Sequence, residues 1–343
     1  MMIERRRVGK TRLKLDSMGM GCSTMGNLYR AIADEDARHC LDTAWTSGFR
    51  YFDTAPFYGL GLSERRVGDA LRERLGESYT LSTKVGRLLK PAGYADVRHG
   101  FCSPMPFDIV YDYSYDGVMR SYEDSLQRLG LDRVDILYMH DIGWMTHGSA
   151  NHALFDEAMK GGYRALDELR RSGDVRAIGL GVNETEVCER ALEHGDWDCF
   201  MLAGRYTLLD QSALDTLLPK CVAMDVSIVL AGPYNSGILA KGVRGEGPWN
   251  YDYGPAPDEI IQRVAAIEDT CDEFGVPLAA AALQFPLAHP AVISVVMGLG
   301  SGRRVAATTK LASYAIAPDF WRALHERGLI HAEAFLPEHA DAP

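Results

Sequence analysis

The sequence predicts an α/β protein built on eight parallel strands, a single domain over residues 1–343, and three observations carry that prediction. Short β-rich apolar runs alternate with amphipathic stretches along the whole length, the mark of repeated βαβ units. Four polar residues, Asp53, Tyr58, Lys84 and His140, stand at or just past the ends of such runs, the place where a parallel barrel gathers its chemistry. No linker and no shift in composition divides the chain.

Strands are expected at 17–21, 49–53, 80–84, 135–140, 177–181, 200–203, 227–231 and 292–297. Helical patterns fall between them at 33–47, 63–75, 115–129, 154–172, 184–194 and 212–224. Ser63, ahead of Glu64 and an apolar stripe at Val67, Ala70 and Leu71, reads as an N-cap. Residues 276–302 carry no charge over a span long enough to cross a bilayer, yet Pro277, Pro286 and Pro290 interrupt it, so a buried helix followed by a core strand is expected. Segments 89–112 and 232–257 fall outside the alternation and read as long loops on the strand-end face. Their aromatics (Phe101, Phe107, Tyr111, Trp249, Tyr251, Tyr253) favour ordered lids.

A 343-residue chain that is 47% apolar can bury a large core. A net charge of -11, with no basic cluster beyond Arg5-Arg6-Arg7, argues against a nucleic-acid or membrane partner and for a small-molecule substrate. The seven cysteines are odd in number, scattered and without a C-x-x-C pair, which suggests neither a disulfide framework nor a metal site. The compartment reads as reducing and cytoplasmic, since the basic run near Met1 has no apolar stretch behind it. The oligomeric state is left open.

Lys84 closes an apolar run, where a buried ammonium needs a counter-charge, and Asp53 is the natural one. Taken alone, the two could be a salt bridge between neighbouring strands. Tyr58 follows on a tight loop between Pro56 and Gly59. A lone loop tyrosine usually packs, and a phenol of pKa ~10 needs a neighbouring cation to exchange protons near neutral pH. Lys84 can supply that charge. His140 is either a satisfied core histidine or a hydrogen-bond donor to a substrate oxygen. Clustering on three consecutive strand ends favours a shared site over four separate packing roles.

With these four residues in place, the chain resembles an aldo-keto reductase along nearly its whole length, and Gly59 with Ser63-Glu64 continues that family's pattern. The resemblance implies an NAD(P)-dependent (β/α)8 TIM barrel in which Tyr58 passes the proton, Lys84 and Asp53 tune it, and His140 orients the substrate oxygen. Ala55-Pro56-Phe57-Tyr58-Gly59, Gly204-Arg205-Tyr206-Thr207-Leu208-Leu209 and Asn235-Ser236-Gly237-Ile238-Leu239 are similar to the branch of aldose 1-dehydrogenases and pyridoxal 4-dehydrogenase. That branch implies oxidation of a cyclic hemiacetal, an aldose at C1, to a lactone, with pyridoxal or general aldehyde and ketone reduction as alternatives. It also implies cofactor contacts at Asn183, Gly232, Ser236, Gly298, Gly300, Ser301 and Arg304. Ala231 stands where an aromatic usually stacks on the nicotinamide. NAD is slightly favoured over NADP, because Arg304 lacks a cationic companion at Gly298.

Other chemistries fit poorly. A metal-dependent hydrolase would need several histidines and carboxylates at strand ends, but the first strand has no H-x-H and His140-Asp141 is isolated. A retaining glycosidase would need a second carboxylate, and the seventh strand ends in Ala231-Gly232. A cofactor-binding regulatory subunit remains as a separate class, to be told apart by negligible turnover.

Overall fold

The structure, a computed structural model, describes residues 4–74 and 76–337. Leu75, the last residue of the expected second helix, and both ends of the expected 1–343 domain lie outside the described residues. Eight parallel strands close into a barrel: β1 Met18–Gly21, β2 Tyr51–Asp53, β3 Thr80–Val85, β4 Ile136–His140, β5 Ala177–Val182, β6 Cys199–Ala203, β7 Ser227–Ala231 and β8 Val292–Gly298. Each pairs with its sequence neighbour, and β8 returns to β1 with Val295 opposite Met18. All eight expected strands are present.

Strand alternation sorts the side chains into two cores. One set, including Leu81, Leu137, Ile178 and Leu230, packs outward against the helices, where burial of apolar surface contributes most of the stabilisation. The other fills the barrel interior with Tyr51, Ile136, Tyr138, Cys199, Met201, Val229 and Ile293. Val8, Leu13 and Leu15 join that inner set from the hairpin of Arg5–Arg7 with Lys14–Asp16. Gly9 lies against the carbonyls of Asp198 and Asp225, just ahead of β6 and β7, so this hairpin covers the end of the barrel opposite His140. Inside, the Tyr51 hydroxyl is bonded to Ser82 Oγ at 3.1 Å and Tyr138 at 3.3 Å, which satisfies groups that would otherwise be costly to bury.

The helices follow the expected order, with physical reasons for each departure. The second, Leu62–Arg72, has Gly61 as its cap residue, and Ser63 does not cap it. The Ser63 hydroxyl is buried instead, bonded to Thr54 Oγ1 at 2.8 Å and the Cys22 carbonyl at 2.7 Å, so it ties the helix to the strand ends. Ser114 caps Tyr115–Leu129 by accepting from Gly117 N. The expected helix at 154–172 begins earlier, at Asn151, and passes through a π-helical stretch at Ala158–Gly162 before continuing as Tyr163–Ser172. The pattern at 212–224 becomes helical only at Leu217, after a 3-10 turn at Ser212–Leu214.

Both long loops are ordered and lie beyond the strand ends. The first folds as a ribbon, Arg87–Pro91 against Phe107–Tyr111, with a smaller one, Val97–Arg98 against Phe101–Cys102, at its tip. The second contains the turn Asn235–Gly237, the short helix Ile238–Lys241 and a ribbon of Asn250–Tyr251 with Gly254–Pro255. Residues 276–302 form the helix Leu278–Gln284, a 3-10 turn and β8. No helix among the described residues is long and apolar enough to cross a membrane.

Candidate active site

Three neighbouring strands deliver the site. β2 ends at Asp53, β3 carries Lys84 one residue before its end, and β4 ends at His140. Lys84 Nζ donates to Asp53 Oδ2 at 2.7 Å and to the Thr54 carbonyl at 3.0 Å, while Ser82 Oγ donates to Asp53 Oδ1 at 2.7 Å. Tyr58 is brought in by the loop after β2. Gly59, at φ +66°, lies so close to Gly26 that a Cβ would meet its carbonyl oxygen at 2.5 Å, which fixes how the loop seats. The Tyr58 ring centroid stands 4.7 Å from Lys84 Nζ and 6.1 Å from the His140 ring, perpendicular to it.

Burial sets the protonation states. It works against the Lys84 ammonium, but the Asp53 carboxylate outweighs it and the lysine pKa stands above its ordinary value. Burial raises the Asp53 carboxyl, with Lys84 and Ser82 pulling it back. The Tyr58 phenol is raised by burial despite Lys84, so the ammonium tempers the shift without producing a resting tyrosinate. His140 is held well below the usual imidazole range by burial, with Arg87 and Lys84 adding to the effect. It is therefore neutral, one nitrogen a donor and the other an acceptor. Nε2 lies 3.5 Å from Asp141 Oδ2, which favours the proton there, and Nδ1 is buried with no partner.

Around this centre the sequence argument missed Arg87, Asp141 and Arg205 as site residues, while Asn183 and the lid residue Tyr253, both expected there, lie among them. Arg87, just past β3, bonds Asp141 and lies over the Phe57 ring at 4.2 Å. Asn183 donates to Asp141 Oδ1 at 3.3 Å. The strand-end rule that picked out His140 could have found Asp141, which follows its strand directly, and Arg87, two residues past the end of its strand. The lid residue Tyr253 donates its hydroxyl to Asn183 Oδ1 at 3.0 Å, and its backbone N–H donates to Ser236 Oγ at 3.0 Å. Arg205 clamps the same lid through Asp252 at 2.9 Å and the Asn183 carbonyl at 2.8 Å. Nothing in the sequence pattern marks those pairings, because they join residues as much as 70 positions apart.

The expected cofactor positions divide into two groups. Gly232 and Ser236 follow β7, and Gly298, Gly300, Ser301 and Arg304 end or follow β8, its neighbour in the barrel. Asn183 lies apart, on the side of His140 and Asp141. Ser301 caps the helix Gly302–Ala312, accepting from Arg304 N at 3.4 Å. The start of that helix carries free backbone N–H groups, and Arg303 and Arg304 are exposed with no ion pair among the described residues. A phosphate-bearing cofactor fits that donor set.

Comparison with known proteins agrees with this architecture. Residues 17–327 match the family model described as Aldo/keto reductase family. Pyridoxal 4-dehydrogenase of Microbacterium luteolum is 44% identical over 95% of this chain and 98% of its own length. D-threo-aldose 1-dehydrogenase of a Pseudomonas species is 40% identical over 93% of this chain and 95% of its own. An aldo-keto reductase from Bacillus halodurans, solved in its holo form, superposes with a TM-score of 0.73 at 26% identity, covering 99% of this chain and all of the other. The chain thus belongs to the aldo/keto reductase family and is an oxidoreductase that uses a nicotinamide cofactor.

Proposed function

We propose that this protein oxidises the closed hemiacetal form of an aldose at C1 to the lactone, with Tyr58 as the proton relay, Lys84 and Asp53 tuning it and His140 orienting the reacting oxygen. The observation that carries this reading is the Tyr58–Lys84–Asp53–His140 arrangement: a phenol beside a buried, carboxylate-held ammonium and a neutral imidazole. The anomeric hydroxyl would sit between the Tyr58 oxygen and His140 Nε2. Tyr58 takes the hydroxyl proton as the C–O bond becomes a carbonyl, and the ring oxygen already on that carbon makes the product a lactone. A nicotinamide cofactor, when bound, would supply the hydride acceptor for that carbon. Phe57 and Phe101, packed edge to face at 5.3 Å beside the Tyr58 and His140 rings, help exclude water from this pocket.

Gly232, Ser236, Gly298, Gly300 and Ser301 would hold the pyrophosphate and ribose, with Arg304 near the adenosine 2′ position and Asn183 toward the carboxamide. NAD is favoured over NADP, since one arginine with Gly298 in place of a lysine makes only part of a phosphate site. The chain would act in the cytoplasm on a small molecule. Pyridoxal, whose hemiacetal offers the same chemistry, is the second substrate class, supported by the resemblance to the Microbacterium enzyme. A panel of D-threo-aldoses, L-fucose, D-galactose and pyridoxal, followed by absorbance of the reduced cofactor, tests the reading. Turnover of an aldose supports it, and turnover of pyridoxal alone moves the substrate to the second class. Reduction of simple aldehydes, with no hemiacetal oxidised, would refute it.

A further inference from the structure

Beside the four residues of the proposed proton relay stands a carboxylate that the relay does not use. Asp141 follows His140 directly and turns the chain at φ +47°, in the left-handed region that aspartate enters more readily than most residues. Arg87 bonds its Oδ2, Asn183 bonds its Oδ1 at 3.3 Å, and its Oδ2 lies 3.5 Å from His140 Nε2. The loops after β3, β4 and β5 thus converge on one carboxylate at the rim of the pocket. An ionised carboxylate accepts about four hydrogen bonds, so two strong donors leave part of its capacity unused. Arg87 also has spare capacity, because its Nε is buried without a partner while the guanidinium lies over Phe57.

We propose that Asp141, held by Arg87 and Asn183, accepts a hydrogen bond from the hydroxyl on the carbon next to the reacting hemiacetal carbon, and so selects aldoses that carry a free 2-hydroxyl. This rests on the hemiacetal reading above. His140 Nε2 and Asp141 Oδ2 are 3.5 Å apart, so a substrate oxygen bonded to Nε2 can bring its neighbouring hydroxyl within reach of the carboxylate. On a sugar ring the hydroxyl nearest that oxygen is the one at C2. A 2-deoxy sugar would leave the carboxylate without that partner in a site largely closed to water, and sites built to bond a hydroxyl discriminate strongly against its absence.

The test compares D-galactose with 2-deoxy-D-galactose, and L-fucose with its 2-deoxy analogue, in the wild-type holoenzyme and in Asp141→Asn. In the wild type the 2-hydroxy sugar is expected to exceed its analogue by about a hundredfold in kcat/KM. In Asp141→Asn that ratio is expected to shrink by about tenfold or more, as the charge-assisted bond is lost, with the pH profile of the remaining activity in place. A wild-type enzyme indifferent to the 2-hydroxyl overturns the proposal without any variant. A variant that slows both sugars equally and displaces the pH profile also overturns it, and assigns Asp141 to His140. Failure of the aldose reading looks different: the wild type would turn over neither sugar of a pair, and the proposal would fall with it.

Discussion

Replacing Lys84 with methionine keeps most of the buried stem and removes only the ammonium, which stands 2.7 Å from Asp53 Oδ2 and 4.7 Å from the Tyr58 ring centroid. At an effective dielectric of ~20, unit charges 4.7 Å apart interact by about 3.5 kcal/mol, which bounds what the ammonium contributes toward lowering the phenol. Asp53, left buried without its partner, takes up a proton instead of adding its negative charge to the field at Tyr58. The rising limb of kcat/KM for hemiacetal oxidation should therefore move upward, by less than the Lys84 interaction alone would give because the opposing Asp53 charge is lost with it, and turnover at neutral pH should fall by about tenfold or more. Initial rates by cofactor absorbance, from neutral to strongly alkaline pH, measure this, with a thermal melt to confirm folding. A variant that keeps good activity on an unmoved profile would make Lys84 a structural residue and refute the reasoning.

Tyr58→Phe should lose about 10² to 10⁴ of turnover while cofactor titration by fluorescence stays close to wild type, because only the proton relay is removed; retention of more than about a tenth of the activity would exclude this role. Cofactor preference should favour NAD over NADP in kcat/KM, and a clear preference for NADP would show that Arg304 suffices for the 2′-phosphate. His289 offers a stability test remote from the proposed site: it is buried, its Nδ1 accepts from Ala291 N at 3.1 Å, and burial pushes its pKa down to about 4. Between that value and the unfolded ~6.5, the unfolded chain binds a proton that the folded one refuses. Its contribution of about 3 kcal/mol is thus complete above pH ~6.5 and lost as the pH falls to about 4. His289→Gln should flatten that part of the Tm-against-pH curve, and an unchanged slope would rule the histidine out.

The barrel was legible because a parallel sheet buried on both faces writes its strands as short apolar runs, with polar residues only where the strand stops. That is why Asp53, Lys84 and His140 could be picked out from position alone. Tyr58 was placed with them by position, but its role as proton relay needed the resemblance, since nothing local distinguishes a loop tyrosine that packs from one that exchanges protons. Ser63 was misread as a cap because the sequence shows which residues begin a helix but not that Thr54 and the Cys22 carbonyl compete for the hydroxyl. Asp141 and Arg87 were visible in sequence but unreadable as a pair, because their contact depends on a left-handed turn and on two loops folding toward one another. The lid contacts of Tyr253 and Arg205 are of the same kind: long-range, polar and without periodicity.

The central claim is that the closed hemiacetal is the species oxidised, and the product formed first decides it. Rapid quench of the reaction of the aldose that turns over fastest, followed by NMR, should show lactone appearing in step with reduced cofactor and opening to the acid only afterwards. Carboxylate formed at the same rate as reduced cofactor, with no lactone passing through, would contradict the account.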